Sequence, residues 1–272
     1  AKKFISIKNK IIEKLLKEGY CSYDLDTKAY VDLDKHIVDL RYILKKGETC
    51  TFGKLTTRGL ETIDEYVVKS RIRATEGTKF STDLIQRTSN NLYELDAFDS
   101  VVINVDRKFY NVVPVDITFS EMEKPYSLEA GAGYDTYVGM RVQSEFTKHN
   151  FLGDAQQLSL KAAWSQREQL IKLSYYKPAI WDLFERHIDL GGNIGYSNLE
   201  FEGFTEEKSF LRAFLHHREM SVNLRAGIAS EYIIINALNN VSVLSQAVNE
   251  GTFSLFYPYV DFIYDARDDA LN

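Results

Sequence analysis

The sequence predicts an α+β arm built of β-α-α-β-β repeats, followed by an antiparallel β-meander that reads as the wall of a barrel. Three observations predict this. Helical and strand patterns mix up to about Met122, whereas beyond Pro125 almost every segment alternates with the period of a strand. The order of elements recurs after about 77 residues, Leu15 aligning with Leu92. Proline is scarce, with four in 272 residues, while 17 Tyr and 16 Phe supply the aromatics that long strands favour.

The chain opens on FISIKNKIIEKLLKEGY, which puts Phe4, Ile5, Ile11, Ile12, Leu15 and Leu16 on one helical face and Lys3, Lys10, Lys14 and Lys17 opposite. Lys8 interrupts the apolar face, and Gly19 ends the helix. KAYVDLDKHIVDLRYIL then alternates around Asp34-Lys35, a hairpin without glycine in its turn. With that turn, antiparallel partners have numbers summing to about 69, so Cys21 falls opposite residue 48 and Cys50 is within reach. Two outcomes stand open. Either Cys21 and Cys50 form a disulfide, which implies an oxidising compartment, or they are two small, apolar, partly buried thiols.

The next block contains the whole unit. TFGKLTTRGL reads as a strand, DEYVVKSRI as a helix with Asp64 near its start, and STDLIQRTSNNLYELDAF as a second helix capped by Ser81. VVINVD and VVPVDITF close it as two strands. Residues 1–48 are therefore expected to be the C-terminal part of one repeat, 49–122 a complete repeat, and 126–272 a separate β-domain.

That β-domain begins with YSLEAGAGYDTYVGMRVQSEF and continues through QQLSLKAAW, QLIKLSYY, HIDLGGNIGY, SFLRAFLHH, SVNLRAGIAS and TFSLFYPYVDFIYD. These are eight strand candidates, most of about nine to twelve residues, expected to be joined by turns alternately short and long. One face carries Leu158, Leu160, Ala162, Trp164, Ile188, Leu190, Ile194, Val222, Leu224 and Ile228; the other carries Gln157, Ser159, Lys161, Asp189, Asn193, Asn223 and Arg225. A soluble sandwich or a lipocalin-like barrel alternates in the same way. Three features favour a membrane wall: strand lengths that cross a bilayer at a tilt, aromatics near strand ends (Tyr126, Tyr134, Tyr175, Tyr176, Trp181, Tyr196, Tyr257), and charges with glycines at mid-strand on the polar face.

Composition excludes other classes. A net charge of -6 leaves no basic surface for nucleic acid. No run of about 18 apolar residues provides a spanning helix, and AKKFISIKNK lacks the apolar core of a signal peptide, so any export signal is expected upstream. No catalytic constellation is present. His216 and His217 point to opposite faces of a strand, and Asp24, Asp26, Asp32 and Asp34 lack the glycine and terminal glutamate of a calcium loop. The expectation is a non-enzyme with no metal and no cofactor.

A β-α-α-β-β unit running directly into YSLEAGAGYDT and a meander resembles the Omp85 outer-membrane proteins, whose repeats are periplasmic POTRA domains. Phe52, Gly59, Gly77 before Phe80, Leu92 through Phe98, and Val101 carry the POTRA likeness; Asp96 departs from it where the family usually has glycine. GAGYDTYVGMRVQSEFTKHNFLGDAQQLSL resembles the first two barrel strands, with Asn150 to Gly153 in the turn after them, and YDARDDALN resembles a segment midway round such barrels. The resemblance implies that 126–272 holds about the first eight strands of a transmembrane barrel, its N-terminal half. Within the family the TamA branch is most similar and the BamA branch second.

The resemblance also implies a function. It is insertion or secretion of client outer-membrane proteins, autotransporters among them, from the outer membrane of a Gram-negative bacterium with the repeats in the periplasm. Tyr126, Leu128, Ala130, Gly131, Ala132, Gly133 and Tyr134 would form the lateral-gate strand, its glycines either weakening the strand or relieving crowding in the wall. Val101, Val102, Ile103, Asn104 and Val105 would be a POTRA edge strand, either a docking rim or simply the end of a sheet. Asp265, Arg267 and Asp268 would brace the lumen or end a strand in solvent. The implied partners are unfolded clients, outer-membrane lipid and a TamB-like protein anchored in the inner membrane, with no nucleic acid. The alternatives are a small transport barrel closed by eight strands, which DDALN ends without completing, and a soluble β-protein with an α/β arm.

Overall fold

The N-terminal helix α1 (Lys2–Lys17) ends where glycine permits. Gly19 takes a left-handed φ of 92°, and its N–H donates to Leu16 O while Tyr20 N–H donates to Leu15 O. This paired closure satisfies the last carbonyls. The computed structural model describes residues 2–106, 111–183, 186–219, 222–237 and 250–265. It divides into two compact units, Ala1–Glu61 with Arg71–Glu121, and Thr62–Ser70 with Met122–Asn272.

In the first unit, β1 (Tyr23–Asp32) and β2 (Ile37–Lys46) pair antiparallel from Tyr23↔Lys46 to Asp32↔Ile37, the register that the turn position predicts. The turn closes without glycine because the Asp32 carboxylate accepts from Asp34 N–H and Lys35 N–H, at 3.1 and 3.0 Å, and His36 takes φ 55°. The predicted apolar face of α1 is buried only in its last turn, at Leu15 and Leu16; Ile5 stays exposed.

The complete repeat follows as β3 (Thr51–Arg58), α2 (Glu65–Arg71), α3 (Thr82–Tyr93), β4 (Phe98–Val105) and β5 (Val112–Glu121). Both predicted helix starts are capped. The Asp64 carboxylate accepts from Tyr66 N–H at 2.8 Å, and Ser81 Oγ accepts from Asp83 N–H at 3.3 Å. The sheet order is β3-β5-β4, with β5 in the centre, parallel to β3 and antiparallel to β4. Phe52, Phe80, Leu92, Leu95, Val113, Val115 and Ile117 are almost wholly buried. Asp96 adopts φ 51° at the position equivalent to Gly19, so the helix exit forms with aspartate in place of glycine.

In the second unit eight strands form one antiparallel sheet in sequence order: β6 (Tyr126–Asp135), β7 (Gly139–Lys148), β8 (Gln157–Ser165), β9 (Glu168–Leu183), β10 (Arg186–Glu200), β11 (Phe204–Glu219), β12 (Val222–Ala237) and β13 (Gly251–Tyr264). From β9 onward the strands run to 14–16 residues, longer than expected. β9 continues past the QLIKLSYY segment and passes through Pro178. The fully buried proline precedes Ala179 at φ 53°, and the β9–β10 register shifts between Ile188 and Leu190, so a bulge absorbs it. Among the connections whose residues are all described, 136–138, 166–167 and 201–203 are short and 149–156 is long. The sheet is open, with β6 and β13 at its two ends, so these eight strands do not close into a small barrel among the described residues.

Candidate functional site

Residues directly across an antiparallel pair share a face, so the register shows which side chains line up across the sheet. Leu128, Phe146, Leu160, Leu173, Ile194 and Leu211 form one continuous line over six strands. All six side chains are exposed. A band of this extent is the sort of surface that water-soluble monomers rarely leave open. Exposed aromatics stand toward strand ends at Tyr126, Tyr134, Trp164, Trp181, Tyr196 and Tyr264. Two tyrosines assigned to this girdle from sequence belong elsewhere: Tyr176 and Tyr257 hydrogen-bond Asp189 and Glu231 on the polar face.

The polar face is cross-linked by side chains. Arg212 pairs with Glu231 at 2.6 Å, and Tyr257 O–H donates to the same carboxylate at 2.9 Å. Asp189, 2% exposed, accepts from Tyr176 O–H and from Ala179 N–H, the latter at 2.8 Å. Lys161 lies 3.8 Å from Glu145, which also accepts from Ser159 O–H. Between these groups aromatic rings lie over glycines. A Cβ on Gly191 would come within 2.3 Å of the Phe214 ring and one on Gly195 within 2.6 Å of the Phe210 ring, while one on Gly227 would meet the Ala213 carbonyl at 2.4 Å and Phe214 Cβ at 2.7 Å. Arg225 and Arg212 cover the two rings in turn.

The first strand lacks this cover. Hypothetical Cβ atoms on Gly131 and Gly133 would meet only Gln143 and Arg141, at an ordinary 3.6 Å, so nothing in the described residues crowds these glycines. A hollow of about 260 Å³ lies there, lined in part by Gly131, Gly133, Arg141, Gln143 and Lys161. Glu129 stands directly opposite Glu145, a like-charge pair that weakens a hairpin. Tyr126, Leu128, Ala130, Ala132 and Tyr134 form the exposed apolar side of the strand. Beside its backbone ladder with β7 from Tyr126↔Lys148 to Asp135↔Gly139, β6 has side-chain hydrogen bonds at its ends: Ser127 Oγ with His149 Nε2 at 3.0 Å, and the Asp135 carboxylate accepting from Tyr137 N–H and Val138 N–H. The contrast predicts different tolerance to the same change. Gly195→Ala should destabilise the sheet by about 1–3 kcal/mol because Phe210 and the Ile171 carbonyl must move, whereas Gly131→Ala should stay within about 0.5 kcal/mol. Urea titration of the detergent-solubilised protein distinguishes them.

The other sequence-predicted residues fall as follows. Val101, Val102, Ile103, Asn104 and Val105 lie on β4, which among the described residues pairs only with β5. Val101 N–H already donates to Tyr93 O–H, so the far part of the edge, from Val102 on, is the more accessible. Sequence periodicity gives no signal for that tyrosine. Asp265 is half-buried; Arg267 and Asp268 lie outside the described residues. Cys21 and Cys50 are bonded, with Cα atoms 6.0 Å apart. His216 contacts Asn223 and His217 contacts the His187 carbonyl, and among the described residues no His/Cys/Asp/Glu group could hold a metal ion.

Residues 50–122 match the POTRA family, described as surface antigen variable number repeat. The chain is 22% identical over 196 residues to the outer membrane protein assembly factor BamA of Buchnera aphidicola, covering 72% of this chain and 31% of that protein. Among solved structures, BamA from Haemophilus ducreyi lacking POTRA domains 1-3 superposes with a TM-score of 0.61 at 17% identity, over 97% of this chain and 54% of that one. CdiB from Escherichia coli gives a TM-score of 0.48 at 13% identity, over 96% of this chain and 50% of that one. The chain thus spans about a third of the curated relative and about half of the solved BamA chain. The curated relative and the Haemophilus ducreyi structure bear the name of the BamA branch, the second of the two branches expected from sequence, and an open eight-stranded sheet following a POTRA domain in the chain agrees with part of such a barrel.

Proposed function

We propose, from the premise that this chain belongs to the Omp85 superfamily, that it acts in the assembly or secretion of outer-membrane proteins through a lateral gate at β6. It is an outer-membrane protein with its POTRA domain in the periplasm. The observation that carries the gate reading is the difference between a wall with aromatic rings over its glycines and a first strand without that cover.

The physics of the gate follows from the solvent. In lipid an unpaired strand edge has no water to satisfy its N–H and C=O groups, so a wall opens only where pairing is weak and a substitute strand is at hand. A client strand that adds to β6 supplies those hydrogen bonds, with its apolar side toward lipid beside Leu128 and Ala132 and its polar side toward the lumen beside Glu129. No bond is made or broken covalently, so the role requires no catalytic residue and no cofactor. The POTRA edge from Val102 to Val105 serves as a first docking rim for extended clients, including autotransporter-like ones. A TamB-like partner is the second occupant of that rim, favoured by the unpaired side of β4.

Photo-crosslinkers at Leu128 and Ala132 in the full-length protein are expected to capture nascent clients in cells. Crosslinks at Leu160 and Leu173 but none at β6 would sink the gate reading. A charge change supplies a second test. Glu129→Lys replaces a repulsive cross-strand pair by an attractive one, strengthening the β6–β7 hairpin by about 0.5–1 kcal/mol. The expected result is client insertion slowed a few-fold at unchanged barrel yield, read in reconstituted liposomes.

A further inference from the structure

We propose that the Cys21–Cys50 bond is an inter-repeat staple, holding the two successive α/β repeats of the arm in one orientation so that they move as a single rigid body. The inference is independent of the gate reading. Cys21 precedes β1 in the first repeat, while Cys50 opens the repeat matched as POTRA, and the bond joins positions 29 residues apart. Counting by the repeat, the position equivalent to Cys21 is Phe98, a buried side chain against Phe119 with ring centroids 4.9 Å apart. Where one repeat puts a core aromatic, the other puts half of a cystine that leads out of its own fold.

The junction has little slack around the bond. Gly47 N–H donates to Ser22 O at 3.0 Å, Cys50 N–H to Gly19 O at 2.9 Å, and Phe80 N–H to Cys50 O at 2.9 Å. Tyr20 and Thr49 form a further bridge in the β1–β2 register. Gly19 sits so close to the second repeat that a Cβ there would come within 2.7 Å of the Lys79 side chain and 2.8 Å of the Phe80 carbonyl. Lys17 also pairs with Asp83 at 2.8 Å, but with side chains 61% and 38% exposed the two are weakly coupled through water. Neighbouring domains that meet without a covalent tie ordinarily keep some freedom to pivot. A covalent tie through the same spot removes the pivot, and Cys50, 2% exposed, is shielded from casual reduction.

The test uses the full chain in detergent, with fluorescent dyes attached through non-natural amino acids at Lys35 and Glu76, one in each repeat and both exposed. A control pair at Lys54 and Glu76 lies within the second repeat. On opening the bond with dithiothreitol, or in Cys21→Ser/Cys50→Ser, the first pair's distance distribution should broaden roughly two-fold while the control stays unchanged. Tryptic cleavage after Lys46, where β2 ends and the link to the second repeat begins, should accelerate roughly tenfold. An unchanged first pair would mean that the non-covalent junction alone sets the orientation. Broadening of the control pair would mean that the bond is needed to fold a repeat rather than to orient two. Either result overturns the proposal.

Discussion

Ile194→Lys is expected to destabilise the folded sheet by about 2–4 kcal/mol in lipid or detergent, while Asn193→Lys, one residue earlier on the opposite face, changes it by less than about 1 kcal/mol. Ile194 is 54% exposed, so in a soluble protein the substitution would be close to neutral. The difference arises because Ile194 lies between Leu173 and Leu211 in the apolar line, where the medium cannot solvate an ammonium. Asn193 stands opposite Arg212 and Ser174, on the face where water is present. The measurement is the urea midpoint of each variant in phospholipid vesicles, alongside the heat-dependent electrophoretic mobility of the full-length barrel. Equal, small shifts for both variants would remove the membrane assignment of this face.

The second large effect concerns the arm. Phe80→Ala should cost about 3–5 kcal/mol, because an almost fully buried ring would leave a cavity beside Phe52, its neighbour at 5.2 Å. That loss is comparable with the whole stability of a small domain. Phe52→Ala should act similarly, and the double variant should fall short of the sum by about 0.5–1.5 kcal/mol if the rings stabilise each other. Since the chain forms two compact units, the expected signature is an early unfolding step in the arm while the β-sheet circular dichroism persists. A single cooperative transition in both variants would show that the units do not melt separately.

The sequence carries the local decisions of this chain well. Gly19 terminates a helix because no other residue takes its φ so cheaply, and the Asp34-Lys35 turn sets a register that holds along the whole β1–β2 hairpin. Asp64 and Ser81 mark helix starts because short polar side chains satisfy orphan N–H groups. The alternation beyond Pro125 identifies the strands, their order and the two faces of the sheet, and with the POTRA motifs it points to the superfamily.

Other features became visible only with the fold. The two-residue period assigns Arg212, Glu231 and Tyr257 to one face, but nothing in it says that the three meet, since β11, β12 and β13 must first adopt their registers. The run of β9 through Pro178 depends on a bulge whose opposing strand lies ten residues away. Gly191 and Gly195 look no different in sequence from Gly131 and Gly133, yet the Phe214 and Phe210 rings cover the former and, among the described residues, no ring covers the latter. Residue type and period, which the chain holds locally, determined the elements and their faces. Which side chains touch, and hence where the wall is firm and where it is thin, was decided by long-range strand pairing, because a neighbour across a sheet is a property of the register and not of the segment.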